Sequence, residues 1–172
     1  NYMQNIPVFC ISIALEKNGQ IILGVVYDPV HDELFSAEMG QGAYCNEVPI
    51  KVSQRDLSQA LIATGFPFKS KQHLPQYLLC FEEIFLHCSG IRRMGSAALD
   101  LCYTAMGRFE GFWELGLSAW DIAAGSLIIK EAGGIISDFS GENNYLNSGF
   151  VVCGNKPTHQ YLVNTVNHFF NV

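Results

Sequence analysis

The sequence predicts a layered α/β fold, in which an antiparallel sheet precedes alternating strands and helices. Two observations support this prediction. In the first 55 residues, short β-branched apolar runs are separated by turn residues. After residue 55, similar runs alternate with longer segments whose apolar residues recur every three or four positions, and glycines close most of these segments. We therefore predict two domains, the remainder of an antiparallel sheet domain at residues 1–55 and an α/β domain at residues 56–172.

The first domain is predicted to be an antiparallel meander. Residues 8–15 and 21–27 are apolar and β-branched, and Asn18-Gly19 between them supplies the positive φ angles that a tight hairpin turn requires. Two further strands are predicted at residues 33–38 and 48–52.

The second domain is predicted to alternate strands with helices. The predicted strands are residues 61–64, 91–94, 109–115, 135–138 and 150–153. The predicted helices run from Pro75 to Gly90, from Ser96 to Gly107, from Trp120 to Gly134 and over residues 158–170. In the first of these helices, the spacing predicts that Leu78, Phe81, Phe85 and Cys88 form the apolar face.

Composition excludes several classes of protein. The net charge is −6 and the ten Lys and Arg residues are scattered, which argues against direct nucleic-acid binding. Neither an apolar run long enough to span a membrane nor a signal-peptide pattern is found in the sequence. The six cysteines are far apart without a C-x-x-C motif, which argues against a zinc site and favours buried, reduced thiols in a cytoplasmic protein.

Gly95, Ser96 and Ala97 lie at a predicted strand-to-helix junction. A glycine followed by serine at such a junction leaves backbone N–H groups free at a helix N-terminus, which is an arrangement that binds phosphate. The alternative is an ordinary serine N-cap, which stabilises a helix by about 1 kcal/mol. The turn alone favours the N-cap.

Asp121 lies at the start of another predicted helix, seven residues after Glu114. An aspartate here either caps the helix or binds a cation such as Mg²⁺, which prefers carboxylate oxygens and water. Taken alone, the cap is favoured. Two acids and an anion-binding turn at the ends of neighbouring elements, however, indicate metal-assisted phosphate chemistry. Of Arg92 and Arg93, which precede the turn in a predicted strand, only one can face this site.

Several segments resemble the inositol monophosphatase family. WDIAAGSLIIKEAGGIISD is similar to its C-terminal signature, and three further segments resemble its bacterial SuhB-type members: LIATGFPFKSKQ, IRRMGSAALDL and FEGFWELGLSAWD. GVVYDPVHDELFSAEMGQGAYCN resembles the middle strands of the family. The resemblance covers essentially the whole chain, with the motifs in the expected order.

The resemblance implies a Mg²⁺-dependent hydrolase of phosphate monoesters, an inositol-1-monophosphatase that uses two or three Mg²⁺ ions. It implies that Asp121 is the catalytic metal ligand and that Glu114 contacts substrate hydroxyls. It also implies that Gly95, Ser96, Ala97 and Arg92 bind the substrate. It further implies a cytoplasmic homodimer and a fold of five alternating helix and sheet layers.

The sequence departs from the family at its start. Most family metal ligands come from an upstream Glu and a D-P-x-D-G-T motif, and the sequence contains neither. NYMQNIPVFCISIAL resembles the segment that follows this motif, so the chain is expected to begin just past the main metal-binding loop. We therefore expect these 172 residues alone to have little or no phosphatase activity. We also expect the apolar face of residues 8–27 to be exposed unless an upstream portion or a partner covers it.

Two alternatives stay open at this point. One is a sister phosphatase acting on fructose bisphosphate or a phosphonucleotide, whose site should show extra Lys, Arg or aromatic contacts. The other is a non-catalytic interaction protein, because SuhB-type members are associated with transcription complexes and ribosomal RNA production. Since the chain is acidic, a contact with proteins of the transcription complex is the expected route rather than direct RNA binding.

Overall fold

The computed structural model of the chain describes residues 1–171. Val172, the last residue of the second predicted domain, lies outside the described residues. Five α-helices are present among residues 1–171: α1 (Leu74–His87), α2 (Ala97–Ala105), α3 (Ala119–Glu131), α4 (Tyr145–Ser148) and α5 (Lys156–Phe170). Short 3₁₀ helices lie at Tyr2–Gln4, Leu57–Gln59 and Lys71–His73.

The first sheet is the predicted antiparallel meander. Its strands follow one another in sequence order: β1 (Ile11–Lys17), β2 (Gln20–Asp28), β3 (Glu33–Glu38), β4 (Ala43–Cys45) and β5 (Val48–Pro49). Asn18 and Gly19 have φ angles of 53° and 76°, which confirms the tight turn between β1 and β2. The predicted strand at residues 48–52 is shorter in the structure, and β4 was not predicted.

The second sheet contains all five strands predicted after residue 55. These are β6 (Leu61–Thr64), β7 (Gly90–Arg92), β8 (Gly111–Glu114), β9 (Ile135–Ser137) and β10 (Val151–Gly154). Their spatial order is β7-β6-β8-β10-β9, with β6 parallel to both β7 and β8. β10 is antiparallel to β8 and β9. The carboxyl ends of three neighbouring parallel strands therefore meet at one edge of this sheet.

The helices lie in layers between and outside the two sheets. α2 and α3 pack against each other, α3 contacts β1, β2 and β3 of the first sheet, and α2 contacts β6, β8 and β10 of the second. On the other face of the second sheet, α5 contacts β8, β9 and β10 and packs against α1. The structure thus alternates sheet and helix layers, which confirms the predicted fold class. The domain boundary near residue 55 stays a prediction.

Close backbone contact fixes α3 on the first sheet. A Cβ atom on Gly24 of β2 would lie 2.6 Å from the carbonyl oxygen of Ala124. A Cβ atom on Gly125 would lie 2.6 Å from the side chain of Leu101 in α2. Because glycine permits both approaches, α3 is held tightly from two sides, and the position of Asp121 in its first turn is set by this packing.

The helix α1 is confirmed, and its predicted apolar face is confirmed in part: Phe81 and Cys88 pack against the core, whereas Leu78 and Phe85 do not. Leu78 and Phe85 are 53% and 55% exposed, whereas Tyr77, Cys80 and Ile84 are fully buried. The ring centroid of Tyr77 lies 4.8 Å from that of Trp113 in β8. The three- and four-residue spacing fits two overlapping faces of this helix, since apolar residues occur on both, and packing on Trp113 selects the face that carries Tyr77 and Ile84.

Exposure and burial elsewhere agree with the sequence expectations. Ile11, Ile13 and Leu15 on β1 are more than half exposed, as expected for the uncovered face of the first sheet. All six cysteines are free, and four of them are buried: Cys45, Cys80, Cys102 and Cys153. Within residues 1–171, no helix combines the length and apolarity that crossing a membrane requires.

Candidate active site

A cavity of about 660 Å³ lies at the carboxyl ends of β6, β7 and β8. The Gly95–Ala97 turn, Glu114 and Asp121 all line it, so the structure brings these predicted residues together. The chain before β1 and the start of β1 close the other side, through Asn1, Tyr2, Val8, Phe9, Cys10 and Ser12. The cavity therefore lies between the second sheet and residues of the first.

The Gly95–Ala97 turn connects β7 to α2. Gly95 has a φ of +103°, a conformation that side chains disfavour, and Ser96 is the N-cap residue of α2 in extended conformation. The Ser96 side chain makes no capping hydrogen bond. The first N–H groups of a helix lack partners within it, so this end of α2 can donate to an anion in the cavity.

Two residues near the chain start contact this turn. The side-chain amide of Asn1 donates to the carbonyl oxygens of Val8 (2.7 Å) and Gly95 (3.1 Å). The Sγ atom of Cys10 lies 3.5 Å from Ser96 Oγ. These contacts hold the turn against the segment before β1, and neither residue was predicted to belong to the site.

Asp121 combines features of both predicted roles. Ser118 is the N-cap of α3, and its backbone N–H donates to Oδ2 of Asp121 at 2.9 Å. Oδ1 of Asp121 accepts no hydrogen bond from the described residues, and the side chain lines the cavity. One carboxylate oxygen therefore stabilises the helix start, while the other is available to a ligand.

Glu114 ends β8 and is only 5% exposed. Burial raises the pKa of its carboxyl group to about 7; the charge of Asp121 adds to this effect, and the charges of Arg93 and Lys69 oppose it. A Cβ atom on Gly65 would lie 2.0 Å from the Glu114 carboxyl carbon. The carboxyl group can occupy its position over the end of β6 only because residue 65 is glycine.

Asp100 is a buried acid that the sequence did not point to. It lies in the first turn of α2, is 1% exposed and also lines the cavity. Its Oδ1 atom has no hydrogen-bond partner. Burial raises the pKa of Asp100 well above its ordinary value, with a further contribution from the charge of Glu114. Burial therefore shifts the protonation of both Asp100 and Glu114 toward the neutral form.

The structure separates the two adjacent arginines. Arg93 lines the cavity together with Lys69. The guanidinium of Arg92 instead donates to the carbonyl oxygen of Ile91 at 3.1 Å and lies 3.3 Å from the position of a Cβ atom on Gly90. The sequence indicated that only one arginine could face the site, and the resemblance pointed to Arg92, whereas Arg93 is the one at the cavity.

The side chains at this cavity can supply one ligand to a cation, but they do not form a complete metal site. No group of three or more His, Cys, Asp or Glu side chains among residues 1–171 is arranged to hold a metal ion. Mg²⁺ is commonly bound by one or two carboxylates, with water and phosphate oxygens completing its shell. The free oxygen of Asp121, beside an anion-binding turn, fits one such ligand.

Comparisons with known proteins show what the chain is similar to. Residues 1–169 match the model of the inositol monophosphatase family. The chain is 47% identical over 167 residues to an inositol-1-monophosphatase of Mesorhizobium japonicum, and 49% identical over 156 residues to the Nus factor SuhB of Salmonella typhimurium. These alignments cover 96% and 90% of this chain, but 63% and 58% of the relatives.

Solved structures show the same fold. The extragenic suppressor protein SuhB of Bartonella henselae superposes with a TM-score of 0.92 at 43% identity, covering 96% of this chain and 64% of that one. An inositol monophosphatase from Anabaena superposes with a TM-score of 0.92 at 39% identity, covering 98% and 67%. The chain belongs to the inositol monophosphatase family.

Proposed function

We propose that the protein is a Mg²⁺-dependent phosphate monoester hydrolase that acts on inositol 1-phosphate. The observation that carries this proposal is the convergence of the α2 N-terminus, Glu114 and the free Asp121 oxygen in one cavity. Because the chain spans only 63% and 58% of the lengths of the relatives from Mesorhizobium and Salmonella, the proposal concerns the full-length protein.

Each group has a distinct proposed role. The backbone N–H groups at Ser96 and Ala97 bind the phosphate oxygens, and Glu114 accepts a hydrogen bond from a substrate hydroxyl when ionised or donates one when protonated. Asp121 holds the cation through its free oxygen. The bound cation would activate water and stabilise the charge that develops on the leaving oxygen. Arg92, which the resemblance included, stays a prediction without a cavity contact.

The test is hydrolysis of inositol 1-phosphate by the full-length protein, with Mg²⁺ and with EDTA. We expect activity only with Mg²⁺, and we expect Asp121→Asn to lower kcat at least ~100-fold, or ~3 kcal/mol. The amide oxygen of Asn can still accept from Ser118, so the helix start is preserved. The exposed Asp56→Asn variant is the control. Hydrolysis that persists in EDTA, or an active Asp121→Asn variant, would contradict the proposal.

A role in transcription is the second candidate, because the Salmonella relative and others carry the name Nus factor SuhB. The net charge of −6 favours contact with proteins over direct contact with RNA. Binding of purified RNA polymerase by the catalytically impaired Asp121→Asn variant would support this role, and failure of the wild-type protein to bind would reject it.

We further propose that the protein is a cytoplasmic homodimer. The six free cysteines favour a reducing compartment.

A further inference from the structure

Asp100 in α2 is an acid at the cavity that the proposed hydrolysis does not use. Its Oδ1 atom is buried and has no hydrogen-bond partner within residues 1–171. Native proteins pair almost all such groups, because a buried polar atom without a partner destabilises the fold. The position of Asp100 therefore indicates a partner that enters the cavity.

Two equally buried acids away from the cavity are paired within the chain. Glu110 is 0% exposed and accepts hydrogen bonds from the side chain of Arg55 and the backbone N–H of Leu61. Asp28 is 1% exposed, like Asp100, and accepts hydrogen bonds from both backbone and side-chain donors. Burial alone therefore does not explain the unpaired oxygen of Asp100.

Asp100 lies between the two places where the proposed substrate is bound. It follows Ser96 by four residues, which puts both side chains on the same face of α2. The charge of Glu114 contributes to the raised pKa of Asp100, so the two carboxyl groups are close enough to interact. A substrate with its phosphate at the α2 N-terminus and a hydroxyl at Glu114 therefore passes beside Asp100.

The protonation state of Asp100 suits a hydroxyl ligand. Burial raises the pKa of its carboxyl group well above the ordinary value, which favours the neutral acid. A neutral carboxyl group donates one hydrogen bond and accepts others, so it can pair with a hydroxyl, which also donates and accepts. Without a charge, it does not repel the phosphate bound nearby.

We infer that Asp100 is a specificity residue, whose carboxyl group hydrogen-bonds a second hydroxyl of a polyol phosphate, next to the hydroxyl that Glu114 contacts. This inference rests on the proposed function. A site built to hydrogen-bond a hydroxyl discriminates against an analogue without it, because the buried polar group is then left unpaired. Asp100 therefore selects for the hydroxyls of the ester and not for its phosphate.

The test compares inositol 1-phosphate with cyclohexyl phosphate, which has the same ring and phosphate but no ring hydroxyls. Their dissociation constants are measured by calorimetry on the full-length protein with Ca²⁺ in place of Mg²⁺, under conditions in which turnover is absent. Asp100→Leu, which cannot hydrogen-bond, should weaken binding of inositol 1-phosphate about 10-fold and leave binding of cyclohexyl phosphate unchanged. Asp100→Asn, which keeps a donor and an acceptor, should retain most of the affinity. Thr104→Val, a buried change in α2 outside the cavity, is the control.

Several outcomes would overturn the inference. These are unchanged binding of inositol 1-phosphate by Asp100→Leu, an equal loss for both esters, or a loss in Asp100→Asn as large as that in Asp100→Leu. Absence of inositol 1-phosphate binding by the wild-type protein overturns it as well.

Stability and turnover separate the remaining explanations. Since Leu removes an unpaired polar group from a buried position, Asp100→Leu should unfold at a urea concentration no lower than the wild-type protein. A lower midpoint would show that contacts within the fold hold Asp100, and would contradict the inference. Hydrolysis of inositol 1-phosphate with Mg²⁺ tests the proposed function separately. Binding that depends on Asp100 without hydrolysis would refute the proposed function and support the specificity role.

Discussion

Replacing Glu114 by Gln should change how stability depends on pH. Burial raises the pKa of Glu114 from its ordinary 4.5 to about 7. Between these two values the folded protein keeps a proton that the unfolded chain releases, so the free energy of unfolding falls as pH rises through this range. Each pH unit corresponds to ~1.4 kcal/mol, which gives a loss of about 3 kcal/mol by pH 8. A Gln side chain does not titrate and removes this loss.

Urea unfolding of the full-length protein in EDTA, at pH 5 and pH 8, measures the effect. Relative to the wild-type protein, the Glu114→Gln variant should gain about 2.5 kcal/mol more at pH 8 than at pH 5, because a small part of the loss has already occurred at pH 5. The exposed Glu142→Gln variant controls for removal of a surface carboxylate. If Glu114→Gln shifts stability by the same amount at both pH values, the reasoning that burial governs this carboxyl group is refuted.

Three further predictions follow from close contacts and burial. Gly65→Ala should lower kcat/KM for inositol 1-phosphate roughly 10- to 100-fold, since its Cβ would displace the Glu114 carboxyl group; unchanged kinetics would contradict this. Gly24→Ala should lower the free energy of unfolding in urea by ~1–3 kcal/mol, because its Cβ would meet the carbonyl oxygen of Ala124; wild-type stability would count against the packing argument. In the native protein the buried thiols should react with a thiol reagent far more slowly than after denaturation, since burial raises the pKa of Cys80, for example, to about 12. Fast reaction of the four buried thiols in the native protein would argue against their burial.

Local signals were sufficient to predict most of the fold. The Asn18-Gly19 turn and the β-branched runs around it fix the first hairpin, because positive φ angles and β-branched composition are local properties. The face of α1 could not be predicted in the same way. Leu78 and Phe85 fit the helical spacing as well as Tyr77 and Ile84 do, and only contact with Trp113 in β8 distinguishes them.

The residues of the candidate site that lie at the ends of strands could be predicted from the sequence. Glu114 ends one parallel strand and the Gly95–Ala97 turn follows another, so they meet at one edge of the second sheet. Asp100 lies in α2 and Lys69 lies in a loop. Whether their side chains reach the cavity depends on how these elements pack, and the spacing of residues in the sequence does not determine that packing. Strand alternation indicated that one arginine faces the site, but it could not select Arg93.

The central claim is that Asp121 binds a divalent cation in addition to stabilising the start of α3. Crystals of the full-length protein grown with Mn²⁺ and inorganic phosphate test it through the anomalous scattering of manganese. The account predicts an anomalous peak roughly 2.0–2.2 Å from Oδ1 of Asp121, the oxygen that does not accept from Ser118. A fully occupied manganese site elsewhere, with Asp121 bonded only within its own helix, would contradict the account.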